Sequence, residues 1–262
     1  MIREDLEHKL LSGSVIYINN CPTYRVTLGD MADYGFSQMQ NIIALMSTDD
    51  ESATKFLSNV DGVVSTFYVL LVGIVQELRQ AAQTDEKCET PLYDSALTFL
   101  SLFFRREVRF DENVGFIVQD DESNILFVLN EGSYNQFRDV LRHRNCFADS
   151  YESDDENPAN EMVAKLLEKK RMLNDKIRKA KSAQGEDGIA MSDLISIFAE
   201  AEKMPLQDVY RNYDVYQFNN QFNRLKIMDD YRVNIQALMA GAKSEDVKLQ
   251  HWLSKINNKN NG

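Results

Sequence analysis

The histidines are the first side chains to consider for catalysis, because an imidazole can act as a general base near neutral pH. The sequence contains His8, His143 and His251. Hydrolysis by a serine or cysteine would need one of them beside the nucleophile, together with a carboxylate that orients the ring. There is no G-x-S-x-G elbow, and the closeness of His143 to Cys146 favours a capping or core role near a helix end. We therefore predict no hydrolytic triad.

Phosphate-binding loops and metal sites leave little trace in the sequence. Its eleven glycines form neither G-x-x-x-x-G-K nor G-x-G-x-x-G. Glu168-Lys169-Lys170 matches the E-x-K part of a metal-nuclease motif, but no Pro-Asp precedes it. The acidic run 149–157 lacks the register and the glycine of a calcium loop. We expect no enzymatic activity, no cofactor and no metal, and a cryptic metal-dependent enzyme is the least favoured alternative.

The charge of the protein limits its partners. The formal net charge is -12, so we expect neither nucleic acid nor a membrane surface as a partner. The uncharged apolar run 62–76 is shorter than the roughly 20 residues that a membrane span needs. Cys21, Cys88 and Cys146 form no C-x-x-C pair, and the acidic residues near the N-terminus are unlike a signal peptide. These features predict a cytoplasmic protein.

Hydrophobic periodicity predicts a mainly α fold with small β elements, that is, the α+β class. We divide the chain into a helix-rich N-terminal domain (1–148), an acidic linker with a basic projecting helix (149–190) and an all-helical C-terminal domain (191–262). In the N-terminal domain we predict strands at 15–18, 24–26, 114–118 and 125–129 and helices at 36–46, 63–78 and 92–104. Thr90-Pro91 is predicted to cap one helix, and Ser133 with Gln136 to open another.

The linker helix, predicted to begin at Asn157-Pro158, has a narrow apolar stripe. Leu166, Leu173 and Ile177 lie on this stripe, which Lys170 interrupts, and the other faces are strongly basic. It is either a solvated helix attracted to the acidic surface of the chain itself or a docking arm for an acidic partner.

One long helix is predicted to organise the C-terminal domain. Asp214 with Gln217 should cap it, and Gly241 should end it. Its apolar stripe begins with Phe218 and Phe222, where the helical spacing and the acidic neighbours favour packing over base stacking. A last helix over 247–256 is expected to fold back as a lid.

Several stretches of the C-terminal region carry a family resemblance. They are Asp193–Phe198, Tyr216–Phe222, Asp230–Ile235, Met239–Ala242 and His251-Trp252. With these stretches the region resembles the tail assembly chaperones of long-tailed bacteriophages. The layout of a helix-rich N-terminal part with a small hairpin, a charged linker helix and a compact helical tail is similar as well.

The resemblance implies a protein that binds the tape measure protein and helps to recruit tail tube subunits around it. Such a protein would act in the host cytoplasm and be absent from the mature virion. In that family the C-terminal part is commonly an extension made by programmed frameshifting, whereas here it lies in one continuous chain. The family offers no catalytic residues to assign.

Two other functions remain open at the level of the sequence. One is a minor structural component of the virion in the neck, tail or baseplate. The other is an acidic regulator or DNA mimic that binds a host protein, although the basic run 165–181 interrupts the acidic surface that mimicry requires. The candidate partner-binding residues are Leu166, Lys170, Leu173, Ile177, Phe218, Phe222 and Trp252.

Overall fold

The computed structural model describes residues 3–54, 62–83, 90–146, 190–243, 247 and 251–253. Within them the chain is mainly helical with two small antiparallel sheets, which confirms the predicted α+β class. The chain divides into two compact units. Unit 1 comprises Met1–Phe147 and Tyr210–Phe218, and unit 2 comprises Ala148–Val209 and Asn219–Gly262. The predicted acidic linker and basic helix (149–190) lie outside the described residues, except for residue 190.

The elements follow one another along the chain as helices and short strands. In unit 1 they are α1 (Arg3–Ser12), β1 (Ile16–Ile18), β2 (Cys21–Thr23), α2 (Leu28–Tyr34), α3 (Phe36–Ser47), α4 (Asp50–Thr54), α5 (Thr66–Gln83), α6 (Pro91–Phe104), β3 (Glu107–Asp111), β4 (Gly115–Gln119), β5 (Ile125–Leu129) and α7 (Glu131–Arg144). Then come α8 (Met191–Ala201), α9 (Leu206–Asn212) and α10 (Val215–Met239). Helix α8 belongs to unit 2, and α9 and α10 contribute residues to both units.

Aromatic side chains fill the core of unit 1. Buried residues of α3, α5, α6, α7 and the three-stranded sheet form one cluster. Near its middle, the Phe103 ring lies 5.3 Å from the ring of Phe104 and 5.5 Å from that of Phe137, both edge-on. This is the arrangement that the ring quadrupoles favour. The apolar periodicity predicted α3 and α6 because one face of each helix is buried in this cluster.

The first hairpin turns more tightly than predicted. Asn19 and Asn20 have φ values of 46° and 66°, the left-handed values that a two-residue type I′ turn requires. The second strand therefore starts at Cys21, and the prediction of a strand over 24–26 was wrong. Pro22 is tolerated opposite Tyr17. This pair follows the turn-closing pair and is not hydrogen-bonded, so an N–H group at residue 22 would point away from β1.

The second sheet has one more strand than the predicted hairpin. Strands β4 and β5 confirm the predicted pair, and β3 adds to β4 so that the order is β3-β4-β5. Strand β3 was not predicted, although Glu107, Arg109 and Asp111 alternate with two apolar residues in the pattern of a half-buried strand. At the start of β4, Gly115 has a φ of 107°, and a Cβ there would lie 2.4 Å from the Leu129 carbonyl oxygen.

Helix α5 begins three residues later than the predicted helix at 63, and it is not buried all round. Its first residue, Thr66, donates its N–H to the Asp50 Oδ1 atom at 2.9 Å. Val63 lies before the helix and is 68 % exposed. Only one face of α5 is buried, including Leu70 and Ile74, so the apolar run reflects one packed face and not a fully buried helix.

The starts of α6 and α7 depend on residues other than the predicted caps. Pro91 does occupy the first turn of α6, but Thr90 makes no side-chain capping bond. Instead the Glu77 carboxylate accepts from the first free N–H groups of α6, at 3.1 and 2.8 Å. Asn130 caps α7. Ser133 occupies the N3 position of that capping box instead of the predicted N-cap position. The free N–H donors at the start of α6 are thus satisfied by Glu77, which is distant in the chain. Those at the start of α7 are satisfied by Asn130, which precedes Ser133 in the chain.

In unit 2, α8 buries the face that contains Ile195 and Phe198. The end of α10 confirms its prediction, because Gly241 has a φ of 99°. The Gly241 N–H donates to the Leu238 carbonyl and the Ala242 N–H to the Ala237 carbonyl, at 3.1 and 3.0 Å. This pair of bonds is the Schellman motif.

Candidate partner-binding surface

Residues 251–253 fold back against α10 within unit 2. The Arg224 guanidinium donates to the Trp252 carbonyl oxygen at 2.7 Å. About two turns further along α10, the Tyr231 ring lies 5.5 Å from the His251 ring in an edge-on contact. The predicted return of the chain is therefore present, but residues 247 and 251–253 are not helical.

Local hydrogen bonding favours the non-helical conformation of residues 251–253. The Leu253 N–H donates to the Nδ1 atom of His251 at 3.1 Å, and side-chain acceptors of this kind compete with a helix for backbone donors. The carbonyl of Trp252 is likewise taken by a side chain of α10. The bond to Nδ1 requires that atom to be an acceptor, which fixes the proton of a neutral His251 on Nε2.

The returning segment presents an exposed surface, which we call the C-terminal cluster and define as Tyr231, His251, Trp252 and Leu253. The His251 and Trp252 rings stack at 5.7 Å with planes 26° apart. Trp252 is nevertheless 45 % exposed and Leu253 67 % exposed. A tryptophan that is held on both its backbone and its ring loses little conformational entropy when it meets a partner, and such residues dominate protein interfaces.

Further exposed apolar side chains occur in unit 2. They are Ile197, Leu206, Val233 and Met239, which is 84 % exposed. Apolar side chains that are exposed singly are normal on a protein surface, so these four do not by themselves mark a contact site.

The structure separates the candidate partner-binding residues that the sequence suggested. Trp252 lies in the C-terminal cluster. Phe222 is half-buried on α10. Phe218 is fully buried and belongs to unit 1, so its side chain is a core residue and is not available as a binding surface. Leu166, Lys170, Leu173 and Ile177 lie outside the described residues.

The segment that contains Phe218 is built into unit 1 by hydrogen bonds. Arg25 Nη1 donates to the Asn212 carbonyl at 2.7 Å and to Gln217 Oε1 at 3.0 Å. The Leu28 N–H donates to the Tyr213 carbonyl at 2.9 Å. Segment Tyr210–Phe218 thus completes unit 1, although the sequence-based division had placed it in the C-terminal domain.

Asp214 is the centre of this junction. It caps α10 as predicted, because its Oδ1 atom accepts from the Gln217 N–H at 2.8 Å and its own N–H donates to Gln217 Oε1. Its other carboxylate oxygen, Oδ2, lies 3.9 Å from Arg144 Nη1, and both side chains are 4 % exposed. Sequence reasoning found the cap but missed Arg144, since no local pattern marks a residue that pairs across the fold.

Burial dominates the electrostatics of this pair. It raises the pKa of Asp214, and the hydrogen bond from Gln217 and the charges of Arg144 and Arg25 oppose that rise only in part. Burial also lowers the pKa of Arg144 to about 10, although Asp214 favours its charged form. The adjoining cavity has a volume of about 10 Å³, far below the hundreds of cubic ångströms of ligand pockets. The pair is therefore a structural junction of unit 1.

The described residues define an α+β protein that exposes several apolar and aromatic side chains in unit 2. Among the parts of the chain described above, no group of histidine, cysteine and carboxylate side chains is placed to hold a metal ion. Across the same residues, every helix is too short or too polar to span a bilayer.

Comparison with known families adds a biological context. Residues 179–257 match the family described as the YomV second domain, which is associated with bacteriophages. The match includes the C-terminal cluster, and it supports a viral, phage-encoded protein without selecting the tail assembly chaperones. No curated protein and no solved structure matches the chain significantly.

Proposed function

We propose that this phage protein is a tail assembly chaperone that binds the tape measure protein and helps to recruit tail tube subunits, without catalysing a reaction. The observation that carries the proposal is the exposed C-terminal cluster inside the region that matches a phage-associated family. A tape measure protein is long and helical, and its apolar faces need a temporary partner until tube subunits surround them.

The chemistry of the cluster suits such a client. Trp252 and Leu253 offer apolar area, while Arg224 and the His251 ring hold them on a rigid helix. Helix-in-groove recognition uses anchors of this type at three- and four-residue spacings on the client. The net charge of -12 keeps the chaperone itself soluble while it exposes them.

The test is co-expression with the tape measure and tail tube proteins encoded in the same phage genome. We expect the full-length chain to co-purify with the tape measure protein. The variant W252A should retain less than about a tenth of the bound client, because interface tryptophans commonly contribute 2 kcal/mol or more. The matched control is Y17A, which removes an exposed aromatic side chain of unit 1 (62 % exposed) and should bind as the wild type does.

Two outcomes would contradict the proposal. One is equal recovery of the tape measure protein with W252A and Y17A. The other is the presence of the protein in purified virions at a fixed copy number, measured by mass spectrometry, since that result identifies a minor structural component. The proposal places the protein in the host cytoplasm during assembly and outside the finished particle.

A further inference from the structure

The two edges of the three-stranded sheet in unit 1 have different surfaces. Along β3 the exposed side chains are charged, and Arg109 Nε lies 2.9 Å from Glu107 Oε1. Charges on an edge strand discourage it from pairing with another chain. Strand β5 contains no charged residue, and it exposes two consecutive apolar side chains, Ile125 at 61 % and Leu126 at 47 %. Only the β3 edge is protected by charge. Strand β5 has a bulge instead, because Val118 pairs with Phe127 and Gln119 with Ile125, which leaves Leu126 without a partner on β4.

The main chain of β5 is partly open to a further strand. The Val128 carbonyl, at the α7 end, accepts from the Ser133 hydroxyl at 2.9 Å. At the other end of the strand, no described strand pairs with the outer side of Ile125 or Leu126. The open part of the edge therefore coincides with the exposed apolar residues.

The turn that leads into β5 is acidic. It contains Asp120, Asp121 and Glu122, and the Asp121 side chain is 91 % exposed even though it lies 3.6 Å from Arg106. Hydrogen bonds from the side chain and backbone of Asn124 lower the pKa of Asp120 and so favour its charged form. A basic segment would be attracted to this end of the strand.

We propose that the outer edge of β5 binds an extended segment of a partner protein in which apolar residues alternate with lysine or arginine. Its backbone adds a fourth strand beside β5. Its apolar residues cover Ile125 and Leu126, and its basic residues lie near Asp121 and Glu122. The site belongs to unit 1 and does not depend on the chaperone proposal, which concerns unit 2.

The probe is a short synthetic peptide of alternating lysine and valine, added to the full-length protein and followed by fluorescence anisotropy. We expect binding that weakens by about tenfold or more in L126K, since the new charge repels the peptide and covers the edge. The matched control V114K places the same charge on an exposed apolar residue of the β3-β4 turn (43 % exposed) and should change the affinity less than about twofold. Circular dichroism checks that both variants are folded.

Two further peptides separate strand addition from adsorption. A peptide of the same sequence that is N-methylated at every residue has no N–H donor on either edge and cannot form the ladder, so it should lose binding. A glutamate–valine peptide should bind at least about tenfold more weakly because of the acidic turn. Absence of any binding of the lysine–valine peptide, equal binding of its N-methylated form, or equal binding by L126K would each overturn the proposal.

Discussion

The Arg144 guanidinium faces the Asp214 carboxylate across 3.9 Å inside unit 1, with both side chains almost fully buried. Arg144 Nη2 also donates to the Ser14 carbonyl at 3.0 Å. One arginine at the end of α7 thus connects the N-terminal hairpin region with the start of α10. Segment Tyr210–Phe218 is held in unit 1 by this polar junction and by the burial of Phe218.

Removing both charges of this pair should cost less than the sum of the two single removals. We expect D214N, which keeps a capping side chain, and R144M each to lower the free energy of unfolding by about 3 kcal/mol or more, because each leaves a buried charge unpaired. The double variant R144M/D214N should lose about 2 kcal/mol less than the sum of the two. Urea unfolding of the four proteins measures this coupling, and simple additivity would refute it.

Gly115 should be far less tolerant of alanine than Gly241. Both have a left-handed φ near 100°, but a Cβ at Gly115 would lie 2.4 Å from the Leu129 carbonyl and 2.9 Å from Phe67, whereas nothing lies within 4 Å at Gly241. We expect G241A to cost about 1 kcal/mol from backbone strain alone. G115A should cost about 3 kcal/mol or more, because strand β5 must move as well. Thermal unfolding compares the two, and equal melting temperatures would contradict the clash.

Acid should remove the stabilisation that Asp50 supplies. Burial raises the pKa of Asp50. Hydrogen bonds from the Thr66 N–H and from Arg138, whose Nη1 atom lies 2.6 Å from Asp50 Oδ1, lower it by more, so that the pKa falls below the usual 3.8. The stabilisation is then fully present above about pH 4 and is lost as the pH falls through the folded-state pKa. We expect the stability difference between wild type and D50N to shrink from pH 6 to pH 3 in urea titrations. The exposed variant D121N serves as the control, and a gap that stays constant would exclude this role for Asp50.

Cys21 should resist alkylation in the native protein. Its side chain is 3 % exposed, and burial raises the pKa of the thiol to about 11. At pH 8 only about one thiol in a thousand is then ionised, and the thiolate is the reactive form. Iodoacetamide labelling followed by peptide mass mapping should leave Cys21 unmodified until denaturant is added. Rapid labelling of Cys21 without denaturant would show that the β1-β2 hairpin opens readily.

Local patterns predicted those elements whose cause is local. The apolar faces of α3 and α6 and the short apolar runs of β4 and β5 appear directly in the sequence, because each element buries residues in a single core. The box of Asp214 with Gln217 and the Gly241 end of α10 were also predictable, since each needs only a few neighbouring residues. For the candidate site, sequence singled out Trp252 but gave Phe218 the same role.

The sequence by itself therefore determined the α+β class, most of the helices with strong apolar periodicity, and the phage-type character of the C-terminal region. Only the tertiary structure decided that Tyr210–Phe218 belongs to unit 1, that Glu77 caps α6, and that Arg144 pairs with Asp214. These contacts join residues far apart in the chain, and no periodicity records them. Their cause is the need of each buried polar group for a partner, wherever the fold brings one within reach.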